Sequence, residues 1–481
     1  MTGRSPVVCA RAALASLALV LIVAAIKPAS ASGFSISPNV DASMLPGNEA
    51  ENAIAVNPTD PNNIVAMSTL PDIDAGIAVD VSFDGGATWT QHVIGTGAGD
   101  LGDICCDEQL AWDRFGNLWM VYLHNVNPDT VVALSTDGGL TFTKVASIPP
   151  TTPTGSKSPN NAKPKRLRAG GNHFADQPSI AAGANSVWVS YTSFPSTVIQ
   201  AFGWRISGLG TFGQPSPLES VPTSAGRGDY GDTAVGPDGQ VMVIYQDHTG
   251  GQGGSNIYTA LDPDGFGPAG FSNPRLLARS RVGGFDYIPA QPDRSVDAEA
   301  NLAWDRSGGP HTGRVYAIWT QEVKNESDDM NVMLQHSDDN GATWSPAVRL
   351  NDDPTANSQF NPAIALDQTS GDVAVSWYDC RNDLGQGGPG DTDGIPNDDF
   401  QIWATDSTDG GAHFASNFRV SQGTSNAADA DSFFDTGDYT HAAFQSGRFY
   451  PAWSDNSNST GTNPDGQLHQ LDLFTAAVNI P

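Results

Sequence analysis

The stretch Ser82-Phe-Asp-Gly-Gly-Ala-Thr-Trp-Thr90 carries a pattern, Ser-x-Asp-x-Gly-x-Thr-Trp, that returns three times. Ser135 to Phe142 reads STDGGLTF and Ser337 to Trp344 reads SDDNGATW. Ser407 to Phe414 reads STDGGAHF, with His413 in the threonine position. Asp can turn the chain by accepting hydrogen bonds from its own following backbone, and Gly supplies a positive-φ position. Such a turn needs a strand on each side. The second copy has them, in VVAL before it and KVASI after it.

Working outward, a hairpin comes before each turn. DEQLAWDRFGNLWMVYLH, Asp107 to His124, reads as a strand, a tight turn at Asp113 to Gly116, and a second strand. Similar hairpins start at Glu51, Gln177, Tyr230, Glu299, Asn361 and Tyr439, which makes seven. The 52 glycines, 33 prolines and many short β-branched runs agree with an all-β chain. Four antiparallel strands per unit, repeated around a ring, make a β-propeller. The expectation is seven blades, with six as the alternative. The repeated turn then joins the third and fourth strands of a blade. Blades three and four carry degenerate turns, and blade seven has no evident fourth strand. SGFSISPN, Ser32 to Asn39, is expected to supply that strand and close the ring.

Arg4 and Arg11 lead into an apolar run from Ala12 to Ile26, followed by Ala29-Ser30-Ala31. This is the pattern of a cleaved secretory signal over residues 1–31. The remainder, 32–481, is expected to be one secreted or periplasmic propeller domain without a membrane span. The formal charge of −30, from 53 acidic against 23 basic residues, excludes nucleic acid as a partner. KSPNNAKPKRLRAGG, Lys157 to Gly171, reads as part of a flexible insertion over about 149–175. Cys105, Cys106 and Cys380 remain after the signal; the adjacent pair can bridge, or one of them can reach Cys380.

The face opposite the repeated turns carries the starts of the inner strands and variable polar loops, where a site is expected. One column falls just before each inner strand: Glu51, Asp107, Gln177, Tyr230, Glu299, Asn361 and Tyr439. The preceding positions add Asp176, Asp229 and Asp438. These residues would ring the channel mouth, either as a wet lining or as a carboxylate pocket for a sugar or cation. Arg227, Arg294 and Arg381 could approach it as a clamp for a carboxylate, since each guanidinium offers two parallel donors. The acidic loop of about 384–399 holds Asp391, Asp393, Asp398 and Asp399 around a glycine turn, oxygen donors suited to calcium. No cofactor is required. The histidines share no zinc-ligand spacing.

The repeated motif resembles the Asp box of the sialidase-like, or BNR-repeat, propellers over nearly the whole mature chain. That resemblance implies a glycan-acting protein. By analogy with sialidases, Tyr439 with Glu51 would be the nucleophile pair, with Tyr230 and Glu299 as alternates and Asp107 as the acid. A neutral phenol suits attack on an anionic sugar, which repels a carboxylate. The family's Arg-Ile-Pro stretch is absent; FDYIPAQPDR, Phe285 to Arg294, is its nearest echo. Two classes therefore stay open. One is a hydrolase for sialic-acid-type sugars, or a lyase on acidic polysaccharide. The other is a non-catalytic propeller that binds glycan or protein.

Overall fold

The computed structural model describes residues 34–126, 129–150, 173–247 and 251–481, together with Met1 and Gly3. The proposed signal segment and most of the insertion lie outside the described residues. Residues 174 and 175 are not insertion but the start of strand Phe174–Ala182. Among the described residues no helix is long and apolar enough to cross a membrane.

Among the described residues, seven antiparallel sheets of four or more strands follow one another along the chain. Blade one holds Ala50–Val56, Ile64–Thr69, Ile77–Ser82 and Thr90–Ile94. Blade two holds Ile104–Trp112, Leu118–His124, Thr130–Ser135 and Thr143–Ile148. The inner strands of blades three to seven are Phe174–Ala182, Asp229–Val235, Asn301–Trp304, Gln359–Leu366 and Ala442–Gln445. The chain is thus a seven-bladed propeller, and the six-bladed alternative falls.

The ring closes as the sequence suggested. Ser35–Ile36 pairs with Val478–Asn479, and Val40–Asp41 pairs with Phe474–Thr475, so the start of the described chain completes blade seven. The apolar core is divided among the seams between blades rather than gathered at the centre. Val65, Val79, Leu118 and Tyr122 fill the seam of blades one and two. Ala42, Ile54, Tyr450 and Leu473 fill the seam of seven and one.

Each repeated turn is a closed hydrogen-bond unit. Asp339 Oδ1 accepts from Ser337 Oγ at 2.8 Å and Thr343 N at 2.7 Å, while Oδ2 accepts from Thr343 Oγ1 at 2.7 Å. In the fourth copy His413 Nδ1 stands 2.7 Å from Asp409 Oδ2 and replaces the threonine hydroxyl. These turns share a face with the turns joining first to second strands: Gly85 N donates to Asn62 O at 2.9 Å. They are scaffold. Asp339→Ala is expected to cost about 1–2 kcal/mol, since two or three hydrogen bonds are lost at an exposed turn. Urea unfolding of the variant checks this.

Candidate functional site at the channel mouth

The inner strands begin with a device the sequence did not reveal. Glu51, Asp107, Gln177, Glu299 and Asn361 all adopt positive φ, at 58°, 56°, 41°, 31° and 44°. The strand register slips at this level in blades one, two, three, four and six, and blade four's slip falls at Tyr230. A bulge re-aims one side chain, and left-handed backbone is unfavourable for residues with a Cβ. Such strain collects at functional sites.

The bulges bring carboxylates together around one guanidinium. Glu51 is fully buried. Its Oε1 lies 3.4 Å from Arg294 Nη2 and its Oε2 3.2 Å from Thr69 Oγ1. The same hydroxyl stands 3.0 Å from Glu108 Oε2. Arg294 is ion-paired with Asp438, which also accepts from Gln177 Nε2 at 3.3 Å. Asp107 Oδ2 accepts from Gln177 N at 2.9 Å, and Asp297 Oδ1 accepts from Glu299 N at 2.6 Å.

Burial governs the protonation of this group. Desolvation, then the charge of Asp107, pushes Glu51 well up, and desolvation with Asp176 does the same to Asp107. Desolvation, then Asp229 and Asp438, raises Asp176 to about 7. Asp297 is raised to about 8 by desolvation and Asp438, and Glu299 is pushed up by desolvation and Asp297. Asp176, Asp438 and Arg294 are the members that reach solvent; Glu51, Asp107, Asp229, Asp297 and Glu299 lie beneath them.

Arg294 arrives on an added hairpin, Asp286–Ile288 and Gln291–Val296, between blades four and five. This is the FDYIPAQPDR stretch. Asp435 holds it by accepting from Asp293 N at 2.9 Å and Arg294 N at 2.8 Å. The Arg294 guanidinium lies 4.8 Å above the Phe434 ring. Gln291 Nε2 and Asn361 Nδ2 both donate to Gly437 O, at 2.9 and 3.0 Å. Gly437 has φ 87°, and a Cβ there would stand 2.3 Å from Glu51 Cγ and 2.7 Å from its backbone N. Gly437→Ala is expected to lower stability by about 1–3 kcal/mol through strain and overpacking. Thermal unfolding measures it.

The expected clamp is not assembled. Arg381 pairs with Asp379 at 2.7 Å and Asp352 at 2.8 Å, and it lies 4.1 Å over Trp403, between blades five and six. Arg227 is exposed beyond a short 3-10 turn at Ser224–Gly226. Among the described residues neither shares an ion-pair partner with Arg294. For Arg381 the near neighbours win because local carboxylates are abundant in so acidic a chain. Nor are Tyr439 and Glu51 hydrogen-bonded as a pair. Tyr439 is 3% exposed, its hydroxyl has no partner, and burial with Asp107 and Glu51 pushes the phenol up, away from phenolate. Glu108, Asp297, Asp435 and the hairpin went unforeseen. The one available signal for Asp297 was its place two residues before Glu299.

In the acidic loop, one oxygen each of Asp383, Asp391 and Asp399 lie within 4.8 Å of one another, as do those of Asp393, Asp398 and Asp399. Asp398 Oδ1 is buried without a hydrogen-bond partner. These residues could hold a calcium ion. Cys105 and Cys106 form a bridge with each other, and Cys380 is a buried free thiol. A cleft of ≈ 330 Å³, lined by Asp74, Thr96, Asp103 and Asn125, shares no residue with the mouth.

No family model and no curated protein matches the chain. Solved structures with a similar trace include an α-L-arabinofuranosidase from Fusarium graminearum, at 13% identity and TM-score 0.46, covering 72% of this chain and 93% of that one. Polysaccharide lyase Uly1 has 9% identity and TM-score 0.47, covering 91% of each chain. An endosialidase of phage phi92 has 11% identity and TM-score 0.47, covering 93% of this chain and 69% of its own. The likeness is one of propeller architecture, and no residue role passes from it to this chain.

Proposed function

We propose that the protein is a glycoside hydrolase whose open face cleaves a neutral glycan, with Asp176 as general acid and Asp438 as the partner carboxylate. One observation carries this reading. Two carboxyl groups reach solvent at the same mouth, one raised to about 7 and the other ion-paired with Arg294. A carboxyl group raised toward neutral pH beside a second carboxyl group paired with a guanidinium offers the two roles that glycoside hydrolysis uses. A neutral sugar fits better than a sialic-acid type because the mouth is dominated by acids and its arginine is already engaged. The loop of Asp391, Asp393, Asp398 and Asp399 is proposed as a calcium seat beside this face. Export is proposed on the apolar run and the Ala-Ser-Ala site.

The test is a panel of neutral aryl furanosides and pyranosides, with an aryl sialoside, against the wild type, Asp176→Asn and Asp438→Asn. Turnover of a neutral glycoside that falls by about 10²-fold or more in both variants supports the proposal. Turnover of the sialoside alone, or neutral turnover that both variants keep near the wild-type rate, overturns it. Glycan binding without turnover would make the chain a binding propeller.

A further inference from the structure

The acidic loop of blade six carries Asp383, Asp391, Asp393, Asp398 and Asp399, and between 383 and 399 the sequence has no Lys, Arg or His. Among the described residues none of these acids forms an ion pair. They fall into two triads that share Asp399, and within each triad one oxygen per residue lies within 4.8 Å of the others. Calcium holds oxygens at about 2.3–2.6 Å, so two ligands of one ion stand up to about 5 Å apart. Either triad could therefore touch a single ion. Their hydrogen bonds tell them apart.

Asp383 and Asp391 are occupied by backbone. Asp391 Oδ2 accepts from Gln386 N at 2.5 Å and Gly387 N at 2.7 Å, and its Oδ1 accepts from Gly394 N at 2.7 Å. Asp383 Oδ2 accepts from Asp398 N at 2.8 Å and Asp399 N at 2.9 Å. These two carboxylates turn the loop on itself. The other triad has room for a cation. Asp398 is 5% exposed, and its Oδ1 is buried with no hydrogen-bond partner. Asp393 closes the triad from the solvent side and accepts from Ile395 N at 2.7 Å, while Asp399 accepts from Thr392 Oγ1 at 2.7 Å. A buried carboxylate oxygen that meets no donor is costly until something positive reaches it. Three hard oxygen donors are the chemistry of calcium rather than of zinc or copper.

We propose that one calcium ion sits between Asp393, Asp398 and Asp399 and holds the loop against the inner strand of blade six. This rests on the calcium reading of the loop given above, not on glycan turnover, and it takes Asp391 out of the ligand set. The link to the strand is Asn397, next to Asp398. Its Oδ1 accepts from Ser358 N at 2.7 Å, directly before Gln359–Leu366. Three residues on, Asn361 donates to Gly437 O, one residue from Asp438. An ion fixed at Asp398 thus steadies the strand that begins at the mouth.

The experiment is calorimetric titration of calcium chloride into chelator-treated protein, with amide hydrogen exchange measured in the presence and absence of calcium. The wild type is expected to bind calcium, and binding should slow exchange in the peptides that cover 383–399 and Ser358. Asp398→Asn should abolish both effects. Asp393→Asn should weaken binding at least about tenfold, since calcium affinity follows the count of ligand charges. No binding in the wild type overturns both this seat and the calcium reading of the loop. Binding that both variants keep overturns this assignment alone and leaves the ion to Asp383, Asp391 and Asp399. Slowed exchange in the loop with none at Ser358 overturns the hold on the strand. If Asp398→Asn does not fold, Asp393→Asn decides, because its side chain is exposed. Weakened binding there supports the seat, and unchanged binding overturns it.

Discussion

Asp176→Asn should reduce kcat on the best neutral glycoside by about 10²–10⁴-fold, the usual contribution of a positioned proton donor. The chain should stay folded, because Asn keeps the shape and removes only the proton. The more telling readout is the pH profile. An acid works in its protonated form, so wild-type turnover should fall as pH rises through about 7, the value to which burial, Asp229 and Asp438 raise Asp176. The variant should lose that limb and keep a low, flat rate there. Asp438→Asn should cost a similar factor for a different reason, since it removes the carboxylate that pairs with Arg294 and touches Gln177. A limb near pH 7 that persists in Asp176→Asn would assign the acid elsewhere, with Asp297, raised to about 8, the next residue to test.

Removal of residues 34–43 should be the most damaging small deletion in the described chain. It strips two strand pairings from blade seven and takes away Ala42, fully buried in the seam with Ile54, Tyr450 and Leu473. It also removes Asn39, whose Nδ2 donates to Val420 O at 3.0 Å across to blade six. The lost hydrogen bonds and apolar burial together come to roughly 3–6 kcal/mol. The edge of blade seven would also stand open to association. The deleted protein should unfold at markedly lower urea concentration and recover when a peptide of residues 34–43 is added. Unchanged unfolding would show that the ring holds without its clasp.

What could be read from the sequence was what repeats. The Ser82–Thr90 pattern located the turns, the seven hairpins counted the blades, and the missing strand of the last blade pointed to its donor. The column of polar residues was legible for the same reason. What does not repeat stayed hidden. The hairpin carrying Arg294 looks like a connection because it belongs to no blade. Glu108 should face away from the mouth by simple strand alternation. The register slip next to it breaks that alternation and sets it against Thr69 with Glu51. Arg381 was misplaced because spacing cannot tell whether a guanidinium prefers Asp379, two residues away, or a distant site.

The left-handed residues at the strand starts also shape how this protein can change over generations. The fold, not the side chain, sets their backbone angle, so the chemistry around the channel can be rewritten blade by blade while the frame stays put. The available alphabet is narrow: Asn, Asp and Gly tolerate that angle best, and Val, Ile and Thr least. Gly would be the most comfortable occupant at each position. Three of the five hold Glu or Gln, which bear that angle less easily than Asn, Asp or Gly, so at Glu51, Gln177 and Glu299 the ring is less stable than its backbone alone would allow.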